Sequence, residues 1–111
     1  MTATVKVLVP AKTVEAAQTT QYTATGVTTI IDKFTATNYN TAAATISVNL
    51  VTVSGSAGNQ NLITKTKTLQ PAEVYTFPEL VGQVLGPGDF ISTIAGTASS
   101  INMRVSGREV T

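Results

Sequence analysis

The chain has 111 residues, of which 12% are charged, and a net charge of +1, enough for one domain around one core and too little charge to grip a phosphate backbone. Histidine, cysteine and tryptophan are absent, which removes thiol nucleophiles, histidine-based triads, haem ligation, Cys/His zinc sites and disulfides. Its 21 threonines, 13 valines and 7 isoleucines make 41 of the 111 positions β-branched, a composition that favours strands.

Short β-branched runs punctuated by Gly, Pro, Asn and Ser recur along the whole chain, the pattern of an all-β sandwich or barrel. The first predicted strand is Thr4 to Val9, with Val5, Val7 and Val9 on one face and Thr4, Lys6 and Leu8 on the other. Pro10 is expected to end it. Ala11 to Gln18 has a modest helical spacing at Val14, Ala17 and Gln18, a turn or two at most. Thr19 to Thr25 is the second strand, closed by Gly26. Val27 to Thr37 reads as a strand whose alternation breaks at Ile30 and Ile31, adjacent residues that must face opposite ways. Asn38, Tyr39, Asn40 and Thr41 make a turn.

In Ala43 to Val53 the apolar face switches from Ile46, Val48 and Leu50 to Val51 and Val53; a bulge near Leu50, or cover on both faces, explains the switch. Ser54 to Asn59 is a loop. Asn61 to Leu69 is a strand whose Lys65 and Lys67 are expected in water, guarding an edge. Pro71 to Glu73 opens a strand through Phe77, and Pro78 to Gly82 resembles one helical turn with proline at its start. Gly86-Pro87-Gly88-Asp89 is a strong turn signal. Phe90 to Ala95 is a strand, and Ile101 to Val105 another, with Ile101, Met103 and Val105 inward. The fold predicted is a single antiparallel β-sandwich of about eight strands spanning residues 1–111, jelly-roll or immunoglobulin-like.

No chemistry-bearing constellation emerges. The carboxylates Glu15, Asp32, Glu73, Glu79, Asp89 and Glu109 are dispersed along the chain, without the clustered oxygens of a calcium loop. Two of Glu73, Glu79, Asp89 and Glu109 meeting in a cleft would revive an enzyme; otherwise these are surface and turn residues. Gly82, Gly86 and Gly88 lack the Lys-Ser/Thr of a phosphate loop, and the serines have no histidine or Ser-x-x-Lys base. Tyr22, Tyr39, Tyr75, Phe34, Phe77 and Phe90 have no basic residues interleaved to make a nucleic-acid platform. No run approaches a membrane span, and Val7 to Val9 is too short for the apolar region of a signal peptide. The expectation is therefore no enzyme, no cofactor, no metal, no nucleic acid and no membrane.

Strands this rich in Thr, Val and Ile, on a chain with net charge near zero, carry a risk of edge-to-edge association. The edges are hidden or the protein is built to assemble. Residues 1–18, and the first nine above all, have two readings: an ordinary first strand, or an N-terminal arm that adds to a neighbour. The candidate assembly contacts are Val5, Val7 and Tyr39.

The segment YTFPELVGQVLGPGDFISTIAGTASSINMRVSGREVT, Tyr75 to Thr111, resembles small β-sandwich proteins encoded among the virion structural genes of tailed bacteriophages and prophages. IIDKFTATNYNTAAATISVNLVTVSGSAGNQNLI, Ile30 to Ile63, is similar to the same family, with a strand ending in T-x-N, small residues, an S-V-x-L-V strand and a Ser/Gly loop. Together the two segments span about two-thirds of the chain. The resemblance implies a capsid decoration (cement) protein that binds and stabilises the shell without catalysis, located in the virion after synthesis in the bacterial cytoplasm. Its implied partners are the major capsid protein and further copies of itself. The alternatives are a neck, collar or tail accessory protein bound to neck or tail proteins, and a host-surface-binding module.

Overall fold

Alternation of β-branched and polar residues lays down nine strands in the computed structural model, which covers all 111 residues. They are β1 (Ala3–Thr13), β2 (Thr19–Thr23), β3 (Thr28–Asn38), β4 (Ala44–Val51), β5 (Leu62–Leu69), β6 (Val74–Tyr75), β7 (Val84–Leu85), β8 (Phe90–Ala95) and β9 (Ile101–Val110). One sheet runs β1-β9-β3, with the short β6 and β7 both pairing on the far side of β3; the other runs β2-β8-β4-β5. All pairings are antiparallel. The two sheets pack as a β-sandwich.

Only β4 and β5 follow one another as a paired hairpin; almost every other connection crosses between the sheets. An immunoglobulin sandwich pairs several consecutive strands within a sheet. The winding here is instead that of a jelly roll of eight strand positions, one of them split into β6 and β7. The split lies where Phe77 takes a positive φ of 45° and Gly82 one of 88°, so the chain turns away from β3 and returns to it. That break replaces the predicted strand from Pro71 through Phe77.

Four expectations need correction. Pro10 does not end β1, because the register slips between Val9 and Lys12 and a proline at a bulge on an edge strand withholds no ladder bond. Ala11 to Gln18 contains no helix: it finishes β1 and bends into β2. Val9 does not share a face with Val5 and Val7. A bulge at Leu8 turns both Leu8 and Val9 into the core, whereas Val5 and Val7 remain outside. Lys65 and Lys67 also part company, since β5 slips register against β4 and Thr66 has a φ of 42°. Lys65 is exposed, and Lys67 lies with its ammonium 4.8 Å from the centre of the Tyr75 ring. β4 itself has no bulge: its register with β8 is unbroken from Ile46 to Val51, and the slips against β5 are extra residues of β5. Residues 46–49 are buried on both faces, so of the two expected explanations cover on both faces holds, with Val51 buried and Val53 exposed.

The core lies between the inner faces. Ile31, Phe34 and Ala36 of β3 and Ile101, Met103 and Val105 of β9 meet Ile46 and Val48 of β4 and Ile91 of β8. Phe77 closes one side, its ring centre 4.5 Å from those of Phe34 and Tyr75. Burying each of the large apolar side chains contributes about 1.5–3 kcal/mol.

One level of the first sheet is distorted on both sides of β9. Leu8 is the extra residue in β1, opposite the step from Val105 to Ser106, and Asp32 the extra residue in β3, opposite the step from Ser106 to Gly107, so the two bulges flank Ser106. A Cβ at Gly107 would overlap the Ile30 carbonyl oxygen and press on the Leu8 side chain, so glycine lets the β3 backbone come close to β9 and leaves room for Leu8 beneath it. Paired bulges bend a sheet and increase its twist. Beyond them, residues 3–7 of β1 are exposed on both faces.

Candidate functional site

The start of β1 is an open edge. Thr2 and Thr111 exchange both backbone bonds, N–H to C=O at 3.0 and 2.9 Å, and the register continues unbroken to Val7 opposite Ser106. Hydrogen-bonded and non-bonded pairs alternate along an antiparallel ladder. Thr2, Thr4 and Lys6 therefore face β9, and the N–H and C=O groups of Ala3, Val5 and Val7 point outward with no strand to meet them.

Two of the predicted assembly residues come together here. Val5 is 84% exposed and Val7 40%, both on the outer face of the sheet. In register with Val5 lie Arg108, Ile30 and Val84, a row crossing all the strands, and Val84 is 58% exposed. Val84 could not be found from the sequence, since β7 owes its place to the turn at residues 76–83. Arg108 pairs with Asp32 through Nε and Nη2 at 2.9–3.3 Å, which raises the guanidinium pKa through the hydrogen bonds and the charge of Asp32. The row is thus apolar except for one internally neutralised pair.

Tyr39 belongs elsewhere. Its hydroxyl is 3.2 Å from Thr13 Oγ1, at the opposite end of β1 and about 26 Å from Val5 by strand rise. It is the one strongly exposed aromatic ring, bordering a shallow depression with Asn40, Pro71 and Ala72. No group of aromatics gathers on a loop edge.

Each open side of the sandwich carries the same four residue types. On the β1 side Tyr22 donates to Glu109 at 2.5 Å and meets Thr29 Oγ1 at 2.7 Å, while Lys6 reaches Glu109 at 3.2 Å. On the β5 side Tyr75 donates to Glu79 at 2.7 Å, Thr64 donates to it at 2.5 Å, and Lys67 lies over the Tyr75 ring. Burial and the Glu109 bond push Tyr22 up to about 12; the Glu79 bond and burial do the same to Tyr75. The Tyr22 and Lys6 bonds hold Glu109 below the usual carboxylate range against burial. Burial works to raise Glu79, but Thr64 and Tyr75 outweigh it. Anionic glutamates beside firmly protonated tyrosines are locks between the sheets, far from the near-neutral pKa values that acid–base catalysis exploits.

The carboxylates weighed as an enzyme pair have separate partners. Glu73 accepts from the Gln70 N–H, Asp89 accepts from the Gly86 and Val53 N–H groups, and Glu79 and Glu109 belong to the two locks. Glu15 bonds Lys12 and Gln21, which lowers its pKa. No three acidic side chains gather where a metal would sit. A pocket of about 180 Å³ on the outer face of the second sheet is lined by Gln18, Ser47, Asn49 and Lys65. Its amides are engaged with each other: Asn49 donates to Gly58 O and Asn61 Oδ1, and Gln18 donates to Ser92. They hold the 54–61 loop down on β4.

Comparison with protein-family models, curated proteins and solved structures finds no match to this chain. No helix is long and apolar enough to cross a membrane.

Proposed function

We propose that the protein is a non-catalytic virion structural component that docks on the capsid shell and stabilises it, as a decoration protein bound to the major capsid protein. The observation that carries this reading is the β1 edge, where unpaired backbone groups at Ala3, Val5 and Val7 adjoin the exposed Val5, Val7 and Val84. Edges of this kind are templates for pairing with another chain, which proteins that work alone cover or charge. The resemblance of residues 30–63 and 75–111 to phage β-sandwich proteins supplies the virion. Jelly rolls recur in viral capsid proteins, and also in lectins and cupins, so the winding supports the reading by analogy. Contacts of modest strength suffice on a symmetric lattice, where multivalent attachment multiplies affinity by about 10²–10⁴.

The test is the copy number in purified particles, by quantitative mass spectrometry against the major capsid protein. One copy per capsid subunit, or one per three, is the expected result. A ratio of a dozen copies per particle would move the protein to the neck or tail. Its absence from particles would overturn the reading in favour of host-surface binding or another role.

A further inference from the structure

The geometry points to a specific partner for the β1 edge: a second copy of the same chain, its β1 added antiparallel about a twofold axis through Val5. The four edges of the sandwich differ in what protects them. β2 is five residues long and slips register at Thr20. β6 and β7 are two residues each. β5 carries Lys65 and Lys67 around the positive φ of Thr66. These are the devices by which edges avoid one another. On β1, Pro10 and two register slips protect residues 8–13, whereas residues 3–7 keep an unbroken register and carry a single lysine, Lys6, whose ammonium is drawn to Glu109.

That stretch is self-complementary. With Val5 opposite its own copy, Ala3 falls opposite Val7 and Val7 opposite Ala3, so every outward N–H and C=O finds a partner, each pair exchanging both bonds. The side chains match as well. Val5, Val7 and Ala3 meet their counterparts on the outer face, and the row Val84–Ile30–Arg108–Val5 continues into its symmetry mate. On the other face Lys6 stands opposite Thr4, not opposite a second lysine, and the Lys6 ammonium is already paired with Glu109 at 3.2 Å. Residues 3–7 are exposed on both faces, which leaves room for a neighbouring strand. A shift of two residues either way brings Val7 opposite Met1, outside the strand, or Ala3 opposite Val9, past the bulge. The interface is small, below the roughly 1,200 Å² of stable complexes, so the isolated protein is a reversible dimer that assembles with concentration.

This pairing names an occupant for the edge and rests on the assembly reading for its purpose. The two fail separately, because dimerisation is read on the purified protein and virion membership on particles. Sedimentation velocity of the full chain from about 10 µM to about 1 mM, within the weak range of affinities, should show a monomer–dimer equilibrium. Val5→Pro removes an outward N–H that nothing in the monomer uses and should weaken dimerisation at least tenfold with an unchanged circular dichroism spectrum. Because the chain has no cysteine, Val5→Cys provides a direct check. The facing Cα atoms of a bonded pair lie about 5.5 Å apart, within disulfide reach. Mild oxidation should link Val5→Cys into a covalent dimer at least tenfold faster than Val53→Cys, an exposed site on the loop after β4. A chain that stays monomeric at about 1 mM, or equal oxidation of the two cysteine variants, would overturn the pairing. If Val5→Pro fails to fold, the cysteine comparison decides alone.

Discussion

The strands β1 and β5 are both long edges, one on each sheet, and both hold a lysine above a Glu–Tyr–Thr lock. They differ in which groups reach solvent. β5 turns Lys65 outward and twists at Thr66, so a second strand meets charge and a broken ladder. β1 instead places its bulge at Leu8, which feeds two side chains to the core and leaves the preceding residues in regular register, with Val5 and Val7 bare on the outer face and Lys6 drawn to Glu109 on the other. In β1 the slips lie between Val7 and Lys12 and leave residues 3–7 regular; in β5 they lie between Lys67 and Leu62, among the lysines, so no long regular stretch remains.

The largest effect should come from the residue that lets β3 come close to β9 and leaves room for Leu8. Gly107→Val sets a side chain against the Ile30 carbonyl and Leu8 and should cost about 3 kcal/mol in urea unfolding. A loss under about 0.5 kcal/mol would show that the convergence does not depend on glycine. Next come the locks. Tyr22→Phe and Tyr75→Phe each remove one bond to a carboxylate, about 1–2 kcal/mol after allowance for partial exposure, and thermal melts should rank them together. If only Tyr75→Phe destabilises, the β1 side is held by its ladder alone.

The locks also set the pH response. Both tyrosines bind their protons more tightly folded than unfolded, so their stabilisation is complete below pH 10 and fades as pH rises from about 10 to about 12. Glu15, Glu79 and Glu109 have the opposite sign. Their folded pKa values lie below the ordinary 4.5, so their contribution holds above that value and is lost as acid protonates them in the native state. A melting temperature that stays level from pH 9 to pH 12 would contradict the first statement. The smallest change in stability, within about 0.5 kcal/mol, belongs to the double substitution Lys65→Val and Lys67→Val. Its effect should appear in light scattering, as association through β5 that the native chain does not show; unchanged scattering would mean that the Thr66 kink alone closes that edge.

Strand content and the sandwich are legible in the sequence because alternation of Thr, Val and Ile is a local signal. β8 falls at Phe90 to Ala95 as predicted, and Ile101, Met103 and Val105 do point inward. What escapes is parity. Leu8 and Asp32 each insert one residue, the two flanking Ser106 of β9, a three-strand event that no window of neighbours reveals. Hence Val9, which simple alternation puts beside Val5, lies in the core. The site is half visible: Val5 and Val7 stand out as apolar residues ahead of Pro10, whereas Val84 enters only through the fold-back after Phe77. Tyr39, conspicuous in its turn, is exposed but lies at the far end of the strand.

The mutual bonds between Thr2 and Thr111 have a practical corollary. The first and last residues sit side by side at the corner where β1 begins, so a short linker joining them would close the chain into a ring. New ends could then be opened in the exposed loop between β4 and β5, as circular permutation favours. A cargo fused at residue 1 or at residue 111 would leave the molecule from one corner, next to the bare strand, and act as a removable cap over it.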